Sequence, residues 1–224
     1  ARGRDRGRRR RSRRAAGTRR RRDRSAAAAG PLAANQAGAG PGGAAAGRRP
    51  GPGRRRRMRV ELWVVRHGAA AERGADWPDD DQRPLLPKGE RQARRLRSVL
   101  PPLDRLFASP LTRAAQTAAP LAELAPAGVE TLAALAHAEA QELPTALTAA
   151  LAQEVAGHVR PPRVAIVGHE PQLSEAIGLL IADGERPAAV RMRKGAVARL
   201  TGTLRAGGMR LELLLSQRDL QRLG

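Results

Sequence analysis

The hydrophobic and polar positions change period several times after Met58, and each change marks a predicted element. Residues 59–65 (RVELWVV) are β-branched and apolar and stop at Arg66-His67-Gly68, the pattern of a buried strand that runs into a loop. Gly74, Pro78, Pro84 and Pro87, together with the acidic run Asp79-Asp80-Asp81, predict a loop over 69–87. Ala93, Leu96, Val99 and Leu100 then recur at helical spacing, while Arg91, Arg94, Arg95 and Arg97 fall mostly on the opposite side. That stretch, 88–100, reads as an amphipathic surface helix.

Leu103 to Ala108 is short and apolar enough for a second strand. Ser109-Pro110 then offers an N-cap hydroxyl and a proline at the first helical position, which puts Arg113 near the start of a helix. Pro120 must kink or shorten that helix, because it lacks an N–H and crowds the preceding turn. Val129–Leu132 is a short strand candidate, and Leu143, Leu147, Leu151 and Val155 mark one face of a helix. Arg163–Val167 is again a buried strand that ends in Gly-His, and Leu173, Ala176, Ile177, Leu180 and Ile181 mark the helix after it. Val197–Leu200 and Met209–Leu213 read as antiparallel edge strands. The alternation predicts an α/β three-layer sandwich with a mostly parallel central sheet, helices on both faces and strand ends gathered at one edge.

Composition changes this picture at one end of the chain. Of its 224 residues 42 are Lys or Arg and 21 Asp or Glu, but residues 1–57 hold 20 Arg and only 2 Asp. The remainder, 58–224, is close to neutral and reads as one domain. Segment 1–57, rich in Arg, Ala, Gly and Pro, has almost no branched aliphatic residues and no aromatic ones, so a disordered tail is expected. Two readings of it stay open. It is either an arm that neutralises nucleic-acid phosphates or an extended or wrongly assigned start, and the low complexity before Met58 favours the second. Gly38, Gly40 and Gly43 match a dinucleotide-binding glycine pattern, but no strand precedes them and no helix follows.

Zero cysteines exclude disulfide scaffolds, iron–sulfur clusters and thiol catalysis. No segment reads as a membrane span, so a soluble, cytoplasmic protein without membrane contact is expected, and nothing in the sequence sets its oligomeric state. The run Asp79-Asp80-Asp81 is expected to be solvated rather than metal-binding, and no cofactor is expected.

The chemistry concentrates at two strand ends and one helix start. Arg66-His67 and Gly168-His169 each follow a buried strand, and Arg113 follows another. In a parallel sheet all three meet at one edge, where two Arg, two His and helix amides suit a tetrahedral dianion.

These residues resemble the histidine phosphatase superfamily (the phosphoglycerate mutase-like fold), and within it the small bacterial phosphohistidine phosphatases of the SixA type. The resemblance rests on VVRHGAA at 64–70, PLLPKGERQA at 84–93, ASPLTRAAQTA at 108–118 and VAIVGHEPQLS at 164–174, and covers essentially all of 58–224. It implies that His67 is a nucleophile forming a phosphohistidine intermediate, that Arg66 and Arg113 clamp the phosphoryl oxygens, and that His169 completes the phosphate pocket without a metal. A neutral imidazole is a competent nucleophile, and guanidinium groups disperse the charge of the transferring phosphoryl group. His169 is expected to be protonated or to donate from one ring nitrogen when phosphate is bound, and Gly68 and Gly168 to let the backbone approach it.

The implied substrate is a phosphohistidine on a phosphorelay or phosphocarrier protein, removed by hydrolysis. The alternative is a small-molecule phosphate ester; a nucleic-acid-binding protein acting through its basic tail is the reading from another class. Ester-hydrolysing relatives use a carboxylate acid, for which Glu139 is the candidate among His137, Glu139 and Glu142. The phosphohistidine branch generally does without one. Three departures stand out. Leu86 replaces a frequent Thr cap, Pro120 interrupts a helix, and Glu170 brings a carboxylate beside the pocket where Asn is frequent.

Overall fold

The computed structural model describes residues 58–152, 160–182 and 188–223. The Arg-rich segment 1–57 and Val155, the last position of the helix expected from the leucine spacing, lie outside the described residues.

In chain order the elements are β1 (Arg59–Arg66), α1 (Pro87–Leu96), β2 (Arg105–Ala108), α2 (Thr112–Ala118), β3 (Val129–Thr131), α3 (Ala134–His137) and α4 (Leu143–Ala150). They continue as β4 (Arg163–Gly168), α5 (Gln172–Ile181), β5 (Val197–Thr203), β6 (Met209–Leu215) and α6 (Gln217–Leu223). The strands form one sheet in the order β3-β2-β4-β1-β5-β6. The β3, β2, β4 and β1 strands run parallel and β5 and β6 complete the sheet antiparallel, as the sequence alternation predicts, but of the two expected edge strands only β6 is one, because β5 pairs with both β1 and β6.

Successive side chains of a strand point to opposite faces, so each strand feeds two cores. On one face Leu62, Val64, Phe107 and Ile166 pack with Leu135, Leu147, Leu173 and Ile177 from α3, α4 and α5. On the other, Trp63, Val65, Leu106 and Val167 pack with Leu96, Ala114, Ala118 and Leu220 from α1, α2 and α6. Burial on both sides is why Leu62–Val65 of β1 and Val164–Val167 of β4 are unbroken apolar runs in sequence.

Several local expectations are corrected. The helix expected over 88–100 begins at Pro87 and ends at Leu96, with turns carrying the chain to a buried Leu100. Leu86 stands at its cap without a side-chain hydrogen bond, as expected. The second helix starts at Thr112 rather than at Ser109-Pro110, with Leu111 at the cap position. Ser109 closes only a short turn, Leu111 N–H donating to its Oγ over 3.3 Å, because its hydroxyl is engaged elsewhere. Pro120 shortens the helix as expected: α2 stops at Ala118 and Ala119–Leu124 continue as a 3-10 helix. The single turn α3 has no counterpart in the sequence reading.

Two hydrogen bonds extend the parallel ladder past the strands. His67 N–H donates to Gly168 O (3.1 Å) and Ser109 N–H to Val167 O (2.9 Å). Ser109, His169 and His67 therefore stand side by side where β2, β4 and β1 end.

Candidate active site

The two histidines that the sequence places 102 positions apart meet with ring centroids 5.0 Å apart and planes inclined at 49°. His67 is buried, and its Nδ1 lies 2.7 Å from Gly68 O. A carbonyl only accepts, so in the neutral ring Nδ1 carries the proton and Nε2 keeps its lone pair. Burial, aided by the fields of Arg113, Arg66 and Lys194, pushes the His67 pKa down to about 4 against a raising hydrogen bond to Gly68 O. His67 is thus neutral at pH 7, as a nucleophile requires.

His169 Nε2 lies 2.8 Å from Ser109 Oγ, while its buried Nδ1 has no hydrogen-bond partner. Burial and then the fields of His67 and Arg113 lower its pKa to about 3. The expectation that Ser109 acts first as a helix cap is therefore corrected: its main partner is His169.

Both arginines are fixed at one end and free at Nε. Arg66 Nη1 donates to Met192 O (2.7 Å). Arg113, only 4% exposed, donates from Nη1 to Asp80 O (2.7 Å) and from Nη2 to Asp80 Oδ2 (3.0 Å). The Nε atoms of both are buried and unpartnered among the described residues. Two such N–H groups beside an imidazole lone pair can grip an anion through charge-assisted hydrogen bonds.

Asp80 corrects a second expectation. Of the acidic run, Asp79 and Asp81 are exposed, but Asp80 also accepts from Arg73 Nε (2.5 Å) and Arg83 Nε (2.7 Å). Burial pushes its carboxyl up, yet hydrogen bonds from Arg73 and Arg83 and the field of Arg113 outweigh that and hold it well below the usual range. It is an anion that ties the 69–87 loop to the buried guanidinium.

A second layer holds the loop after β1. Thr117 Oγ1 donates to Arg113 O (2.7 Å) and accepts from Gly68 N–H (3.0 Å), coupling α2 to the residue after His67. Ala69 N–H donates to Gln92 Oε1 (2.8 Å), coupling α1 to the same loop. A Cβ on Gly68 would sit 2.7 Å from Gly89 O, and one on Gly89 would sit 2.0 Å from Ala69 O. Gly68 is thus required for helix–loop contact, whereas a Cβ on Gly168 meets only side chains, Leu173 at 3.3 Å and Leu135 at 3.6 Å.

The acid candidates His137, Glu139 and Glu142 are exposed, and among the described residues no hydrogen bond or ion pair joins their side chains to the paired histidines, although Gln172, three residues after His169, donates to Ala138 O beside Glu139. Burial raises the pKa of the Glu170 carboxyl, and hydrogen bonding to Ser174 and the field of Arg66 partly offset that rise. Among the described residues no three His, Asp or Glu side chains gather as a cation site. No described helix is long and apolar enough to cross a membrane.

Asp80, Thr117, Ser109 and Gln92 carry site contacts that the sequence reading did not assign. Gln92 left a signal, since it shares one helical face with Gly89, Ala93 and Leu96, a stripe otherwise apolar or small. Thr117 lies four residues after Arg113, the spacing of a hydroxyl bonding back to a helix carbonyl. Asp80 left none.

The model of the histidine phosphatase superfamily (branch 1) matches residues 62–199. The protein histidine phosphatase SixA complexed with tungstate is similar over 74% of this chain and 100% of that one, with 23% identity and a TM-score of 0.56, and supports the fold. A Nakamurella multipartitia protein assigned as the phosphohistidine phosphatase SixA is 26% identical over 70% of this chain and 96% of its own, with a TM-score of 0.51. An uncharacterized protein of Picosynechococcus sp. is 45% identical over 73 residues, and the match spans less than half (44%) of that relative's length. Since the matched region contains both strand ends and the helix between them, the chain belongs to branch 1 of the histidine phosphatase superfamily.

Proposed function

We propose that residues 58–224 form a metal-independent phosphohistidine phosphatase that uses His67 as its nucleophile. The observation that carries this reading is the state of His67: a neutral imidazole whose Nδ1 is tied to Gly68 O, leaving the Nε2 lone pair in the field of buried Arg113 and half-buried Arg66, each with a buried, unpartnered Nε. In the proposed reaction Nε2 attacks phosphorus in line, the new N–P bond forming as the bond to the leaving imidazole breaks. Arg66 and Arg113 hold the equatorial oxygens through their Nε–H groups and free Nη donors. With Ser109 donating to Nε2, neutral His169 carries its proton on Nδ1, the atom free to donate to a phosphoryl oxygen. Water then hydrolyses phospho-His67, returning the free imidazole.

An imidazole leaving group carries its own proton and is far less basic than an alkoxide, so the step needs no strong general acid. Neither His67 nor His169 is hydrogen-bonded to a carboxylate among the described residues, an arrangement that suits this substrate class over a phosphate ester. Similarity to the Nakamurella protein supports the same class.

The test is phosphate release from a phosphohistidine-bearing phosphotransfer protein by the full chain, with chelator present. Release that persists with chelator and is lost in His67→Ala is expected. A folded wild type that leaves the phosphohistidine intact but hydrolyses a phosphate ester would overturn the substrate assignment and make Glu139→Gln the next variant.

A further inference from the structure

Beside the catalytic edge, on the face covered by α1 and α6, lies an open hollow lined by Lys88, Arg91, Arg95 and Arg218, with Gln92 and Gln217 at its back. No carboxylate lines it, and none of its four cations forms an ion pair with a described acid. Asp219, which feels Arg218 and Arg222, is turned to Ser216, whose N–H (2.8 Å) and Oγ–H (2.6 Å) donate to it. Like charges gathered this way repel one another, and a stable fold gains nothing from the arrangement.

The back of the hollow is wired to the catalytic loop. Gln92 Oε1 accepts from Ala69 N–H, two residues past His67. Gln217 Nε2 donates to Gly195 O (2.7 Å), and Gly195 N–H donates to Arg66 O (3.1 Å) and His67 O (2.9 Å). Two residues of chain and one glutamine side chain put the hollow on the order of 10–15 Å from His67. Exposed Arg191, Arg193 and Lys194 continue the positive strip to the pocket rim, and the field of Lys194 reaches His67.

We propose that this hollow is a docking site for the acidic face of a phosphoprotein substrate, separate from the phosphate pocket. The inference rests on the phosphohistidine reading above and extends it from the phosphoryl group to the surface around it. Carboxylates suit the hollow better than nucleic acid does. The chain's three aromatic residues, Trp63, Trp77 and Phe107, all lie elsewhere, so the hollow has no platform on which a base could stack. On a helical partner the same 10–15 Å corresponds to acids about two to three turns from the phosphohistidine. Complementary charge at such a rim raises the encounter rate and sets salt dependence more than it alters chemistry.

The experiment compares the full chain with its Arg91→Gln/Arg218→Gln variant on two probes, an acidic phosphohistidine-bearing phosphotransfer domain and free phosphohistidine. On the protein probe kcat/KM is expected to fall about tenfold, through KM and with a shallower dependence on salt, while free phosphohistidine is turned over as before. Arg91→Glu/Arg218→Glu is expected to deepen the loss. Equal changes on both probes, or none on the protein, would overturn docking while leaving the catalytic reading intact. So would loss of affinity for a single-stranded oligonucleotide with protein turnover unaltered. Wild type that releases no phosphate from the protein probe but does from a phosphate ester removes the phosphohistidine reading, and the docking proposal with it.

Discussion

Gly89→Ala sets two opposite effects against each other at one atom. Gly89 lies inside α1, where alanine ordinarily stabilises a helix by about 1 kcal/mol relative to glycine. Here the added Cβ would stand 2.0 Å from Ala69 O and 2.9 Å from Ala69 C and N. Those are backbone atoms, so no rotamer change relieves the contact, and α1 and the loop after His67 must separate by roughly 1 Å or more. Overpacking of this kind costs about 1–3 kcal/mol, which exceeds or cancels the helix gain. At about 2–4 °C per kcal/mol for a domain of this size, the melting midpoint is expected to stay or fall by several degrees. The separation also stretches the Ala69–Gln92 bond and disturbs the contact through which Thr117 holds Gly68. A misplacement of about 1 Å costs on the order of a hundredfold in rate, so kcat should fall far more than stability does. Calorimetry and steady-state turnover on the same preparation read both. A variant with a raised midpoint and unaltered kcat would refute the claim that Gly68 and Gly89 are the packing seam of the site.

Other outcomes follow from the same contacts. With its folded pKa near 4, His67 should leave kcat/KM flat through neutral pH and falling only as pH drops toward about 4; an inflection at 6.5 would mean that the nucleophile is not buried as described. Because both histidines titrate lower in the fold than in the unfolded chain, their contribution to stability is complete above about pH 6.5 and is lost as pH falls toward 4, so the melting midpoint should drop across that window and drop less in His67→Gln/His169→Gln. Asp80→Asn releases Arg113 from its fixed anion and is expected to lower kcat/KM about tenfold, whereas a rise would show that Asp80 only competes with substrate. Ser109→Ala removes the partner of His169 and should cost about tenfold in kcat with little change in KM, and unchanged kcat would leave the Ser109 contact without a catalytic part.

What could be read in the sequence was whatever has a period or a short-range signal. The apolar runs of β1 and β4 reveal buried parallel strands, and their shared ending at Arg66-His67 and Gly168-His169 brings the pair to one edge once the sheet is parallel. What escaped is set by long-range contact. Whether Ser109 caps a helix or bonds a histidine is decided by His169, 60 positions away, not by its neighbours. The helix start at Thr112 shifted for the same reason. Asp80 sits in a run of three equivalent acids, and only the fold of the loop selects which one meets Arg113. Nothing local marks Gly89, and its partner, the Ala69 carbonyl, appears only when α1 packs on the loop.

The most direct measurement is to mix the full chain with a 32P-labelled phosphohistidine protein, quench it within milliseconds, and map the enzyme-bound label by peptide analysis. Label that is acid-labile and alkali-stable, sits on the peptide containing His67, and disappears in His67→Ala is the expected result. Phosphate released at full rate with no label on His67, or with label retained in the alanine variant, would contradict the nucleophile assignment on which the proposed mechanism stands.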